Sequence, residues 1–349
     1  MVGRNWIAIA VTATVLCAVP VARAGQSYVY PDPYNFDCAM ASYDCGEPLC
    51  AAMCDCYEPE PWLASSVELL WLNRTRAEQQ PLMWADIGGS LYSLMDAGDL
   101  MFNVEAGIRL RATYGSPSGH TFEMAYAGIY DQIAAESRTY DPAQVSGLNA
   151  MGYHFFGTFP TGVFSYTALY ETDLHSVELN WGCGELWRTR PFIGARWVRM
   201  EDMLRVYETE NFDNLSIAKV DNDLVGAQLG FHVGLWDRGD WFRVEATAKS
   251  GVFHNWADLY AGQRGTAGTG DEFKRKLEAT SFAGEINLTA IAQITDCFAI
   301  TFGYTGLWLA GVGLAPDQSD DFDLATGHGD LDVNSVSFQG GHFGIEWIY

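Results

Sequence analysis

The feature that most limits what this chain can fold into is a two-residue alternation of apolar and polar side chains. It recurs from Trp62 to the last residue. The final stretch shows the pattern: Phe343, Ile345, Trp347 and Tyr349 are apolar or aromatic, His342, Gly344 and Glu346 are polar or small, and only Ile348 breaks it. A strand turns successive side chains to opposite faces, so such a stretch has one apolar and one mostly polar face. The same alternation sets Val67, Leu69 and Trp71 against Glu68, and Ile108 and Leu110 against Glu105, Arg109 and Arg111. It continues with Phe122 and Met124 against Glu123, Val177 and Leu179 against Glu178, and Leu229 and Phe231 against His232. Val244 and Ala246 then oppose Arg243, Glu245 and Lys249, Ile286 and Leu288 oppose Glu285, and Phe302 and Tyr304 oppose Thr301 and Thr305. Thr189 to Met200 reads as a further strand whose two faces cannot be told apart. The count is ten.

The connections between these strands alternate in length. Gly115-Ser116-Pro117-Ser118-Gly119, the stretch 182–188, Asp237-Arg238-Gly239-Asp240 and Thr295-Asp296-Cys297 are short. The stretches 74–101, 131–173, 201–221, 261–277 and 311–334 are long. A soluble sandwich ending on a half-buried strand has no cause to sort its loops this way. A closed antiparallel transmembrane β-barrel does, with tight periplasmic turns and long extracellular loops. The expected fold is therefore all-β, a barrel of about ten strands over 62–349. A further hairpin through Tyr153-His154-Phe155-Phe156 and Phe164-Ser165-Tyr166 would raise the count to twelve.

The N-terminal end fits export. Arg4 gives a positive start, Trp6 to Val19 an apolar core, and Ala22-Arg23-Ala24 a small-x-small cleavage site, so residues 1–24 read as a signal peptide. Residues 25–61 read as a Cys/Pro-rich periplasmic segment, with Cys38, Cys45, Cys50, Cys54 and Cys56 crowded among prolines. In an oxidising compartment disulfides are the expected use of such cysteines, and Cys50-x3-Cys54-x-Cys56 lacks the spacing and histidines of a zinc knot. Cys183 and Cys297 both fall at short turns, hence on one rim, and form a candidate disulfide. The formal charge of −24 becomes −26 when Arg4 and Arg23 leave (−24 − 2), a balance that excludes nucleic acid as a partner.

The ending resembles the C-terminal assembly signal of bacterial outer-membrane barrels, carried here by His342, Gly344, Trp347 and Tyr349. That likeness implies the outer membrane as location, its lipid as surroundings and the barrel-assembly machinery as a partner. Ser66-Val67-Glu68-Leu69-Leu70-Trp71-Leu72, Gly303-Tyr304-Thr305-Gly306-Leu307-Trp308-Leu309, Leu314-Ala315-Pro316-Asp317-Gln318 and the stretch from Val333 to Tyr349 resemble a β-barrel porin family, family seven, of planctomycete-type bacteria. The resemblance spans about 62–349 and implies a barrel, a membrane and a pore.

No nucleophile elbow, zinc-protease or phosphate-loop motif is present, and no cofactor is expected. Asp173 and His175, two apart, are the nearest thing to the acid–histidine pair of an outer-membrane protease, but an Asp and a His so spaced on a strand edge are far more often just polar loop residues. Asp317, Asp320, Asp321, Asp323, Asp330 and Asp332 could hold Ca²⁺ but lack the glycine and glutamate positions of an EF-hand. The residues expected to face the lumen are Glu68, Glu105, Arg109, Arg111, Glu123, Glu178, His232, Arg243, Glu245, Lys249, Glu285 and Glu346. Among them seven Glu face four Arg or Lys, an excess of three negatives (7 − 4). The expected protein is no enzyme: a narrow, weakly cation-selective pore for ions or small solutes, or a plugged structural barrel. The alternative is an outer-membrane protease or lipase with its site at the extracellular rim.

Overall fold

The computed structural model describes residues 62–87, 90–140, 147–150, 153–154, 164–183, 188–209, 215–238, 241–264, 270–318 and 331–349. The strands are β1 (Trp62–Arg74), β2 (Pro81–Ile87), β3 (Ser90–Asp96), β4 (Glu105–Gly115), β5 (His120–Tyr140), β6 (Gly147–Ala150) and β7 (Tyr153–His154). They continue as β8 (Phe164–Cys183), β9 (Thr189–Glu208), β10 (Leu215–Asp237), β11 (Phe242–Arg264), β12 (Gly270–Thr295), β13 (Phe298–Val312) and β14 (Asn334–Ile348). Ten close a barrel in the ring order β1-β14-β13-β12-β11-β10-β9-β8-β5-β4, and β3-β2-β6-β7 form a separate four-stranded sheet. β1 makes the closure, with Leu69 opposite Phe343 of β14 on one side and Glu68 opposite Arg109 of β4 on the other. With the ring closed no edge is left, so a bilayer can surround it without meeting unpaired backbone groups.

The barrel has two tiers, because the apolar face changes sides partway along the strands. Near the short turns the outward face is greasy: Leu229 is 62% exposed, Ile193 58% and Phe282 54%. Exposed aromatic residues flank this band, with Tyr114, Phe122, Trp181 and Trp236 at the short-turn end and Trp71, Trp197 and Trp256 at the other. An outward apolar belt between aromatic girdles is what lipid requires. Farther from the short turns the pattern inverts. Leu224 and Val220 of β10 and Val198, Met200, Leu204 and Val206 of β9 point inward and are buried. Their outward neighbours pair in water-facing positions, as in Lys219 with Glu201 and Asp221, and Arg205 with Glu171. Each inward Leu, Val or Met gains about 1.5–3 kcal/mol from leaving water, so the upper tier holds together as a soluble barrel does.

This inversion corrects two expectations. Much of the stretches 131–173, 201–221 and 261–277 is strand, prolonging the ring well past the lipid belt. There the charged residues face out and the apolar ones in, so the membrane-style reading fails although the two-residue period persists. In β5 a bulge between Ile129 and Gln132 also shifts the phase: Ile129 is inward before it and Gln132 after it. Asp131 adopts φ 50° in that bulge, and its N–H donates to Asp173 Oδ1 at 2.7 Å. The twelve-strand variant is overturned as well. Phe164–Tyr166 begins β8, while Tyr153 and His154 pair with Ala150 and Asn149 in the small sheet. The expected signal peptide (1–24) and Cys/Pro-rich periplasmic segment (25–61) lie outside the described residues.

Candidate functional site: a charge network across the lumen

Inside the lower tier, inward positions on facing strands are occupied by ions of both signs. Glu285 of β12 is the hub. Its carboxylate lies 3.5 Å from Arg109 Nη2, 3.0 Å from Arg196 Nη1 and 3.2 Å from Lys249 Nζ, and it accepts a 2.8 Å hydrogen bond from Asn287 Nδ2. In the ring, β1, β14 and β13 stand between β12 and β4, and β10 and β11 stand between β12 and β9. The bonds to Arg109 and Arg196 therefore cross the lumen, while Lys249 stands beside Glu285 on the neighbouring β11. Glu178 of β8 is a second hub, with Lys249 Nζ at 2.7 Å, Arg196 Nη1 at 3.4 Å and Gln228 Nε2 donating at 3.0 Å. Glu68 takes the other face of the Arg109 guanidinium at 3.0 Å. Three carboxylates thus meet three cations, and each of the six side chains is almost completely buried. Charges this deep persist only when every partner is in place.

The remaining residues expected in the lumen lie nearby. Arg111 pairs with Glu123 at 3.6 Å, and Arg243 joins Glu245 at 2.8 Å and Glu346 at 3.1 Å. His232 shares a hydrogen bond with Thr247 at 2.8 Å, and Glu105 stands opposite Leu72 on the inward face of β4. At the closing strand, His342 points into the lumen between Thr289 and Thr305, and Gly344 passes Glu68 of β1. Trp347 lies opposite Ser65, and the backbone of Tyr349 exchanges hydrogen bonds with that of Leu63.

Sequence reasoning missed Arg196, which like Lys249 is shared by both hubs. It lies in the strand whose faces could not be assigned, since Arg196 and Arg199 there point to opposite sides of the wall. Arg190 also falls on the inward phase of β9, so six cations stand against the seven glutamates and the excess falls to one (7 − 6). A signal was present: Gly194 and Arg196 share the phase of Phe192, which a period-two reading from Phe192 would have exposed.

A second polar cluster lies in the upper tier. Arg74 Nη2 meets Asp202 Oδ1 at 3.2 Å, with its guanidinium against the contacting rings of Phe102 and Tyr170. Tyr170 and Thr172 donate to the same carboxylate at 2.7 and 2.6 Å. Between this cluster and the charge network lies an apolar layer that includes Leu70, Leu72, Ile129, Leu174, Leu224, Phe253, Leu307 and Phe338.

One sequence expectation fails here. Cys183 and Cys297 are free thiols. Cys183 ends β8 and Cys297 lies in the β12–β13 turn, with β9, β10 and β11 between them on the ring, so the shared rim does not bring them together. Asp173 and His175 lie on the outer wall of β8, where Tyr126 bonds His175 Nδ1 at 3.0 Å, so they do not face a rim cavity as an acid–histidine pair. Among the described residues no group of three His, Cys, Asp or Glu side chains could hold a metal ion. Asp320, Asp321, Asp323 and Asp330 of the acidic run lie outside those residues.

A closed antiparallel ring of ten strands with a lipid-ready belt defines the class: this is the fold of an outer-membrane β-barrel. Among solved structures it is similar to the outer membrane protease OmpT from Escherichia coli, with a TM-score of 0.50 and 10% identity over 82% of this chain and 97% of that one. It is also similar to the translocator domain of the autotransporter NalP from Neisseria meningitidis, with a TM-score of 0.35 and 9% identity over 84% and 90%. For the toluene transporter TodX from Pseudomonas putida the TM-score is 0.28, with 8% identity over 83% and 89%. At such identities the likeness concerns the fold alone, and only the first is close enough to bear on it. No protein-family profile matches the chain, and no curated protein matches it.

Proposed function

We propose that the protein is an integral outer-membrane barrel with a sealed lumen, acting as a structural or surface-presenting element. The observation that carries this reading is Glu285, whose carboxylate engages Arg109 and Arg196 from distant parts of the ring together with Lys249 beside it. Small barrels fill their interiors with side chains, and water-filled channels belong to rings of about 16–18 strands. The apolar layer above the network is a second barrier to ions. The resemblance to β-barrel porin family seven favours a pore, but an excess of one inward negative gives little ground for cation selectivity. For the enzyme alternative, Asp173 and His175 stand on the wrong side of the wall. The test is recording of the purified protein in planar bilayers. Baseline current supports the sealed reading, and long-lived unitary channels in KCl would overturn it.

A further inference from the structure

After β13 the chain turns into the barrel instead of away from it. Gly311 makes the turn at φ +78°, beside a register shift between Ala310 and Val312, and a Cβ there would sit 2.7 Å from the Thr280 carbonyl oxygen. Gly313, Leu314, Ala315, Pro316, Asp317 and Gln318 are then all buried. Leu314 joins the apolar layer with Leu70 and Val198, and Ala315 joins the cluster that contains Leu82, Met83 and Met95 of the small sheet.

This strap is not part of a strand ladder. Side chains of the wall hold its backbone, much as a binding site would hold a peptide. Asn222 donates to the Gly313 carbonyl at 2.9 Å and accepts from the Gly313 N–H at 2.8 Å. Asp202 accepts from the Ala315 N–H at 2.8 Å. Asp317 is the exception. It is 5% exposed, and neither carboxylate oxygen reaches a donor in hydrogen-bond geometry among the described residues. A buried carboxylate without donors is poorly tolerated as an anion.

We infer that segment 313–318 is a pH-released strap, seated in the upper tier while Asp317 is protonated and expelled toward the extracellular side as Asp317 ionises. The groups facing Asp317 are Asp202 of β9, Arg74 of β1, Asn334 of β14 and Glu78 of the connection after β1. Burial pushes the Asp317 carboxyl up to about 6; Asp202 and Glu78 add to the rise, and Asn334 and Arg74 oppose it. In the released strap the same group returns to the ordinary carboxylate value of 3.8. Seating is thus fully favoured below that ordinary value, and the advantage is lost as pH rises through about 6. A difference of about two units corresponds to roughly 100-fold in the seating equilibrium. Release exposes Arg74, Asp202 and the apolar wall behind Leu314, while the charge network below stays closed.

Hydrogen exchange of the detergent-solubilised full chain tests this, with rates corrected for the intrinsic effect of pH. Protection of the Leu314, Ala315, Asp317 and Gln318 amides should fall roughly 10-fold between about pH 5 and pH 8, the rest of the roughly 100-fold change lying below about pH 5, while that of 343–348 in the closing strand stays constant. Asp317→Asn should keep the strap protected across the range. Should that variant fail to fold, Glu78→Gln removes an exposed facing acid and should move the midpoint to lower pH as pH is varied. Flat protection in the parent, equal loss in the closing strand, an unaltered fall in Asp317→Asn or an unmoved midpoint in Glu78→Gln would each overturn the proposal.

Discussion

Arg74 of β1 and Asp202 of β9 meet inside the upper tier at 3.2 Å, with both side chains essentially inaccessible to water. On the ring, β4, β5 and β8 separate their strands by the shorter route, so the pair braces the barrel across its width. Asp202 also holds Tyr170, Thr172 and the Ala315 amide, which makes it the more sensitive member. Asp202→Ala leaves a buried guanidinium uncompensated and should cost about 3–5 kcal/mol. Replacing both residues with Leu and Met should cost less than the two single changes summed. A double-mutant cycle from urea unfolding of the detergent-solubilised barrel checks this; strict additivity would mean that the pair does not couple.

Glu285→Ala strips a carboxylate from Arg109, Arg196 and Lys249 at once. The expected loss is again about 3–5 kcal/mol, larger than for Glu245→Ala at the half-exposed short-turn end. Replacing Arg109 with Ala and Arg111 with Ser should leave bilayer current at baseline, because the apolar layer containing Leu70 and Leu307 still closes the lumen. Stable channels in that double variant would assign the seal to the charges alone.

The two tiers respond in opposite ways to the same chemistry. Leu229→Arg puts a cation in the lipid belt and should cost about 2–4 kcal/mol, with less protein reaching the heat-modifiable form on unheated gels. Lys219→Ala, on the outward face of the upper tier, should change stability by no more than about 0.5 kcal/mol. Equal tolerance of the two substitutions would contradict the placement of the belt.

Cys183 and Cys297 should both react with a maleimide in freshly isolated, unreduced protein, since both thiols are exposed. Labelling of neither without prior reduction would show that they are bridged after all.

The sequence by itself determined the barrel. Alternation in segments such as Val67 to Trp71 and Phe343 to Trp347, with short and long connections in turn, follows from the strand period and from the need to face lipid on one side. Both are local properties, readable one residue at a time. Tertiary structure decided what the lumen does. That Glu285 meets Arg109 depends on ring closure placing β12 and β4 across from each other, and 176 residues separate the two in the chain. The faces of β9 were illegible because its apolar side moves from Ile193 outside to Met200 inside as the strand leaves the membrane. Only the height of the bilayer along the barrel determines where that exchange falls. The strap at 313–318 was hidden for a related reason. Burial of a short segment such as Leu314-Ala315-Pro316 depends on the cavity that distant strands build around it, and no periodicity within the segment records it.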